Sequence, residues 1–263
     1  MIVPFLGTLA FPPIEELVDW KAVAFKGTPL AINKPVLLMI LAVIIVFALF
    51  TVAGRRAKTE AGLVPAGSQN IVEMGVEFVR NDIILQTMGP EGLGWTSFLV
   101  TMFFFIFVTN IFEVIPFIQF PVNARMALPL VMALMVWAMF NWVGIKSQGL
   151  GGYFKSMLIP PGVPAGLLIL VVPIEFISTI IVRPFSLAVR LFANMLAGHL
   201  LLVTFAVLSA ALFTKTFLAV ILPLPFVMLI LLTAFEILVA GLQAFIFTIL
   251  TAVYVGGAMH PEH

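Results

Sequence analysis

The chain predicts an all-α integral membrane protein with about five membrane-embedded helices and one amphipathic surface helix. Three observations lead there. Hydrophobic residues fill 62% of positions and charged ones only 10%, against roughly 25% charged in a soluble domain. That leaves too little polar surface to coat a globule in water. The apolar runs extend well beyond the ~20 residues that span a bilayer as a helix, without the every-second-residue alternation of barrel strands. The few polar groups inside the last long runs recur at helical spacing.

Composition also excludes several chemistries. Zero cysteines rule out disulfides, Cys-ligated zinc and thiol catalysis, and leave the redox compartment open. A net charge of +1 gives no basis for a nucleic-acid partner; the lipid bilayer is the partner that composition implies. The opening residues MIVPFLGTLAFP lack a basic n-region and a small-residue cleavage site, so a removed signal peptide is not expected. No Arg-rich, acid-poor presequence is visible either. A bacterial plasma membrane is the simplest location, with an organellar inner or thylakoid membrane left open.

Residues 1–34 form an N-terminal segment with Glu15, Glu16, Asp19, Lys21 and Lys26, expected on the extracytoplasmic side. Residues 35–258 then make one membrane domain, followed by a short tail over 259–263. The first span, 36–53, ends at Arg55, Arg56 and Lys58, and such a cluster places that end in the cytoplasm. Inner segments then carry Arg80, Lys146 and Lys155 as well, and outer segments Lys21, Lys26, Lys34, Arg125 and Lys215. Over 68–85, Glu73, Glu77 and Arg80 share one helical face, with Ile71, Val72, Val79 and Ile83 between them. This is a membrane-surface helix or a loop helix packed on the protein. Spans at 98–117 and 126–143 form a hairpin around Gln119-Phe-Pro-Val-Asn-Ala-Arg125, and a loop rich in Gly and Pro follows from Gln148-Gly-Leu-Gly-Gly.

The final hairpin covers about 165–258. Its first apolar stretch, 167–213, would be about 70 Å long as one helix, over twice the ~30 Å hydrocarbon core. Either it breaks, near Pro184, into two spans, or it is one steeply tilted helix; hydropathy does not choose. Between 167 and 253 the charged residues are Glu175, Arg183, Arg190, Lys215 and Glu236, with His199 also titratable. Arg190 is the most informative of them, because guanidinium cannot shed its proton. A charge at bilayer depth costs ~2.5–3.5 kcal/mol on insertion scales and marks a functional site.

At about 100° per residue, Asn194 lies near +40° from Arg190, Ser186 near −40°, Arg183 near +20° and Glu175 near −60°. They make one polar stripe if the helix is regular through Pro184. His199 faces the opposite way, about 13 Å along the axis. An antiparallel partner with its turn near Phe217, beside Lys215, brings Gln243 level with Arg190 and Glu236 level with His199. Arg190 would hold a neighbouring carboxylate ionised, lowering its pKa by ~1–3 units. His199 and Glu236 can together pass a proton near neutral pH. No further His or carboxylate stands at metal-ligand spacing, no cofactor is implied, and no residue set suggests covalent catalysis.

Three stretches carry a resemblance: Ser186-Leu-Ala-Val-Arg190-Leu-Phe-Ala-Asn194-Met-Leu-Ala-Gly-His199, Leu242-Gln243-Ala-Phe-Ile-Phe-Thr-Ile-Leu-Thr and Thr109-Asn110-Ile-Phe-Glu113-Val-Ile-Pro116. Together they resemble the a-subunit family of the rotary F-type ATP synthase, over roughly 35–258. Ala193 stands where the family commonly has Gly, and 1–34 matches loosely. The resemblance implies a non-catalytic, ion-translocating subunit of a two-sector ATPase, with a c-subunit ring and peripheral-stalk b subunits as partners. It implies that Arg190 meets each ring carboxylate in turn, with Asn194 and Gln243 beside it. His199 and Glu236 would be the acid/histidine pair of the outward half-channel, Asn110 and Glu113 nearer its mouth, and Glu175 and Ser186 on the cytoplasmic side. It also implies two long tilted helices along the ring. Proton is the expected ion; the choice against sodium should reside mainly in the ring. The competing class is an ion-coupled secondary transporter with Arg190 binding an anionic substrate, which would need a midplane cavity and usually repeated halves; no internal repeat is evident.

Overall fold

The computed structural model describes residues 32–58, 67–116, 118–159, 163–164, 166–213 and 220–259. Most of the N-terminal segment, the turn around Lys215 and Phe217 and the tail after Met259 lie outside the described residues. Within them, five helices are long and apolar enough to cross a membrane.

Helix α1, Lys34–Arg56, starts where the Asn33 side chain accepts a hydrogen bond from the Val36 N–H at 3.3 Å. Pro35 fits there because first-turn N–H groups have no helical partner. Leu38, Ala42, Val46 and Ala53 form its buried line, while Phe47 is 72% exposed. Residues 68–87 form α2, an α-helix Ser68–Phe78 continued by a π turn Val79–Ile84 and a last α turn Leu85–Thr87. Its polar face, with Glu77, Arg80 and Asp82, is exposed, whereas Val72, Val79, Ile83 and Ile84 are buried. A Cβ at Gly75 would stand 2.4 Å from the Phe104 ring. Packing on the protein therefore holds the inner face of α2.

Helix α3, Thr96–Ile111, follows a 3-10 turn Pro90–Trp95. It is shorter than the 98–117 that hydropathy suggests, because Pro116 lacks an N–H and disfavours helix in the residue before it. The chain instead turns, with the Glu113 N–H donating to the Asn110 carbonyl at 3.2 Å. The connection to the next span is not a solvent loop. Phe112, Phe120, Val122, Asn123 and Ala124 are all buried, and Phe112, Phe120 and Val122 pack with Leu38 and Ala42 of α1. Lys34 tacks it down by donating to the Ile118 carbonyl at 3.1 Å.

Helix α4, Ala127–Leu158, corrects another expectation. The stretch after Gln148 is helical, and within it Gly149 alone leaves helical geometry, at φ 74°. Only glycine adopts that backbone without a Cβ penalty. The Tyr153 hydroxyl donates to Asn141 Oδ1 at 2.9 Å although the two are 12 residues apart, a separation of about 18 Å in a straight helix. The short leg after Gly149 thus folds back along its own helix.

The first half of the C-terminal hairpin is one helix, α5, Leu168–Leu212, which decides what hydropathy left open. A π turn, Ser178–Val182, precedes Pro184. The wider coil gives room where the proline ring would meet a carbonyl of the preceding turn. Helix α6 is Pro223–Met259. At 45 and 37 residues, these helices are about 68 and 56 Å long. Each fits a ~30 Å core only by lying inclined or by running out of it. α6 packs along α3, α4 and α5, and Ala244, Phe247, Thr248 and Ala252 at their junction are fully buried.

Candidate functional site

Arg190 sits on α5 inside the regular stretch Arg183–Leu212, so the angular phase of Arg183, Ser186, Arg190 and Asn194 is as spacing predicts. The stripe looks outward. Arg190 and Ser186 are half-buried and Asn194 exposed, whereas Ala188, Leu191, Met195 and Gly198 turn into the bundle. Beside it on the same face the exposed residues Ala193 and Ala197 are apolar. Glu175 lies before the π turn, whose extra residue rotates the phase by about 100°. That carries Glu175 from near −60° to near +40°, so it changes edges of the stripe but stays within its arc. Glu175 is half-buried among the exposed Ile174, Phe176 and Ile177. The Arg183 guanidinium stacks 5.5 Å from the centre of the Tyr254 ring, a cation–π contact that gives it a packing role.

The partner of Gln243 is Asn194, whose Nδ2 donates to Gln243 Oε1 at 2.8 Å. Spacing had placed Gln243 level with Arg190, one turn earlier. Helical side chains lean toward their own N-terminus. In an antiparallel pair that lean carries Gln243 along α5 from Arg190 toward Asn194.

His199 is 7% exposed and Glu236 6%, but they do not form the direct pair expected. The His199 Nδ1 stands 3.5 Å from Glu113 Oε1. The Glu236 carboxylate lies over Gly198, where a Cβ would come within 2.4 Å of Oε1. Consecutive residues on α5 thus face two different carboxylates, one from α6 and one from the turn after α3. The depth of that turn cannot be derived from spacing inside the α5–α6 hairpin. Past the end of α3, burial pushes the Glu113 carboxyl above its usual range, and the adjacent His199 pulls it partly back.

Glu113 borders two spaces. An open cavity of about 300 Å³ is lined by Glu113, Gln119, Phe120, His199, Leu229 and Thr233. A constricted inner chamber is lined by Asn110, Glu113, Asn194, Glu236 and Gln243. Polar groups therefore run from the open cavity, through Glu113 and His199, past Glu236 and Asn110, to Asn194 and Gln243. They end one helical turn from Arg190. Asn110, expected nearer the mouth, is 2% exposed and borders the inner chamber instead.

One member of this network was not legible in the sequence. Asn123 is completely buried, and its Nδ2 donates to Asn110 Oδ1 at 2.7 Å and to Thr109 Oγ1 at 3.0 Å. An Asn two residues after Pro121 reads as turn chemistry, and nothing in its spacing signals otherwise.

The chain is similar along most of its length to known proteins. The model of the ATP synthase A chain family matches residues 36–256. ATP synthase subunit a of Frankia alni is 43% identical, with 100% of this chain and 91% of that one aligned. The subunit a of Rhodococcus erythropolis is 40% identical over 96% of this chain and 88% of its own. That of Hyphomonas neptunium is 35% identical over 98% and 99%. The match runs through every helix that carries Arg190, His199, Glu236 and Gln243, and the chain belongs to the ATP synthase A chain family, the membrane-sector a subunits of the F-type ATP synthase.

Proposed function

We propose that this chain is a proton-conducting stator with two offset half-channels, facing a ring of c subunits and held by peripheral-stalk b subunits in a bacterial plasma membrane. The observation that carries the reading is the buried polar path that begins at an open cavity and ends one turn from an outward-facing Arg190. A proton taken up at Glu113 and His199 passes Glu236 and reaches the face where Asn194 and Gln243 meet. There it neutralises a ring carboxylate, which can then rotate through lipid; an ionised one would meet the charge penalty. Release follows on the other side of Arg190, toward Ser186 and Glu175, both half-buried on the same helix.

Arg190 pairs with each ring carboxylate as it loses its proton, and its fixed charge separates the two paths. The exposed apolar side chains around it support a protein or lipid neighbour rather than water. Each charge that crosses releases ~2.3 kcal/mol per 100 mV, which the ring converts to torque. The bacterial relatives support the plasma membrane as its location. Proton is favoured over sodium because His199 adds a titratable imidazole to the path, which can relay a proton.

The test is Arg190→Ala in inverted membrane vesicles. The complex should still assemble and bring down its ring of small hairpin proteins, while ATP-driven acidification is lost. Normal acidification in the assembled variant would overturn the mechanism, and failure of the wild-type chain to co-purify with such a ring would overturn the partner assignment.

A further inference from the structure

We propose that Asn123, on the buried connection between α3 and α4, is a positioning residue for proton uptake that fixes which end of the Asn110 amide faces the inner chamber. The inference rests on the conduction path proposed above. It begins with a proton count. The single hydroxyl proton of Thr109 is committed to its own helix, shared between the Phe105 and Ile106 carbonyls at 3.0 Å each. Toward Asn123, 3.0 Å away, Thr109 Oγ1 can only accept. The Asn123 atom facing it must then be the NH₂ group, since the amide oxygen has no proton to give.

The second hydrogen of that NH₂ group points to the Asn110 side chain at 2.7 Å, so the Asn110 atom there must be its oxygen. Asn110 is left with one orientation. Its own Nδ2 is turned to α6, 3.5 Å from the Ala240 carbonyl, at the wall of the chamber that also holds Glu113, Glu236 and Gln243. An N–H donor thus stands in the wall of the chamber that the two carboxylates share, where an amide oxygen would add to their negative charge. The order of donors is thus set from the α3 backbone outward, through Thr109, Asn123 and Asn110. Asn123 is held for this by the 3-10 turn Val122–Ala124, packed against α5, and is itself 0% exposed.

The titratable groups that face the chamber and its approach are Glu113 from the turn after α3, His199 from α5 and Glu236 from α6, with Arg190 one turn beyond Asn194. Asn123→Asp keeps the volume but removes the NH₂ group, which frees the Asn110 amide to turn over. In assembled complex in inverted vesicles, this variant should pump protons roughly two- to tenfold more slowly, the range one hydrogen bond is worth. Its activity profile against the pH of the vesicle lumen, onto which the outward half-channel opens in inverted vesicles, should shift. Asn123→Ala should slow pumping by a comparable factor, and Asn123→Ala combined with Asn110→Ala should be no slower than Asn110→Ala alone, because Asn123 acts through Asn110.

An Asn123→Asp complex with unchanged rate and pH profile would overturn the proposal. So would a double variant in which the two single defects multiply, or loss of assembly in both Asn123 variants, which would assign the residue to folding alone. Glu236→Gln, measured in parallel, separates the two levels. If it abolishes pumping while the Asn123 variants behave as wild type, only the positioning role fails. If it pumps normally, the conduction path itself is overturned.

Discussion

The carboxylate of Glu236 rests directly against the backbone of Gly198, so close that one added methyl group would stand 2.4 Å from Oε1 and 2.6 Å from Oε2. Gly198 has an ordinary helical backbone; its lack of a side chain matters here for space alone. The contact brings α5 and α6 together at the depth of the buried acid, and it places Glu236 beside, rather than upon, the His199 ring.

Gly198→Ala should therefore push the Glu236 carboxylate out of its place. The overpacking costs ~1–3 kcal/mol, and proton pumping in vesicles should fall further than the amount of assembled complex does. Glu236→Asp in the same background withdraws the carboxylate by one methylene and should recover part of the loss. A Gly198→Ala complex that assembles and pumps at the wild-type rate would show that the position of Glu236 does not matter.

Direct contact of His199 with Glu113 predicts stronger coupling between those two than between His199 and Glu236. Double-variant cycles on pumping rate, using His199→Ala with Glu113→Gln and with Glu236→Gln, should give the larger deviation from additivity for the Glu113 pair. Exchange of the residues as His199→Glu with Glu113→His should likewise retain more activity than either single change. Equal deviations for the two pairs would mean that the chamber works as one pooled site.

Removal of the imidazole also has a definite pH consequence. Burial raises the Glu113 carboxyl and His199 lowers it. In His199→Ala the lowering influence is gone, so Glu113 should keep its proton to higher pH than in the wild type. Infrared difference spectra of the carboxyl stretch, assigned by loss of the band in Glu113→Gln, should show its half-ionisation moved upward. A downward move would contradict the sign.

Gly149→Ala tests the reversal after α4. At φ 74° and ψ 164° a Cβ costs ~1–3 kcal/mol, which should lower the thermal stability of the detergent-solubilised complex. Tyr153→Phe removes the bond to Asn141 and should cost ~0.5–1.5 kcal/mol. The two losses should not add fully, because both loosen the same folded-back leg. Thermal melts of the two single variants and the double variant check this.

Much of this protein is determined by its sequence alone. Long apolar runs require helices in a membrane, because a backbone in lipid must satisfy its own hydrogen bonds. Helical periodicity then put Arg183, Ser186, Arg190 and Asn194 on one stripe, and the regular stretch after Pro184 preserves it. The burial of His199, Glu236 and Gln243 on facing helices follows from the same periodicity. These are local properties, set by one dihedral pattern repeated along a chain.

The tertiary structure decided which neighbours each group has. Helical phase gives a direction about an axis but not how far two helices slide along one another, and a shift of one turn exchanges Arg190 for Asn194 as the partner of Gln243. A π turn added a residue of phase and carried Glu175 from one edge of the stripe to the other. Above all, Glu113 and Asn123 reach the site from a connection whose position no periodicity governs. That connection is fixed by the burial of Phe112, Phe120 and Val122 against α1, and it brings to the chamber both the acid nearest His199 and the amide that orients Asn110.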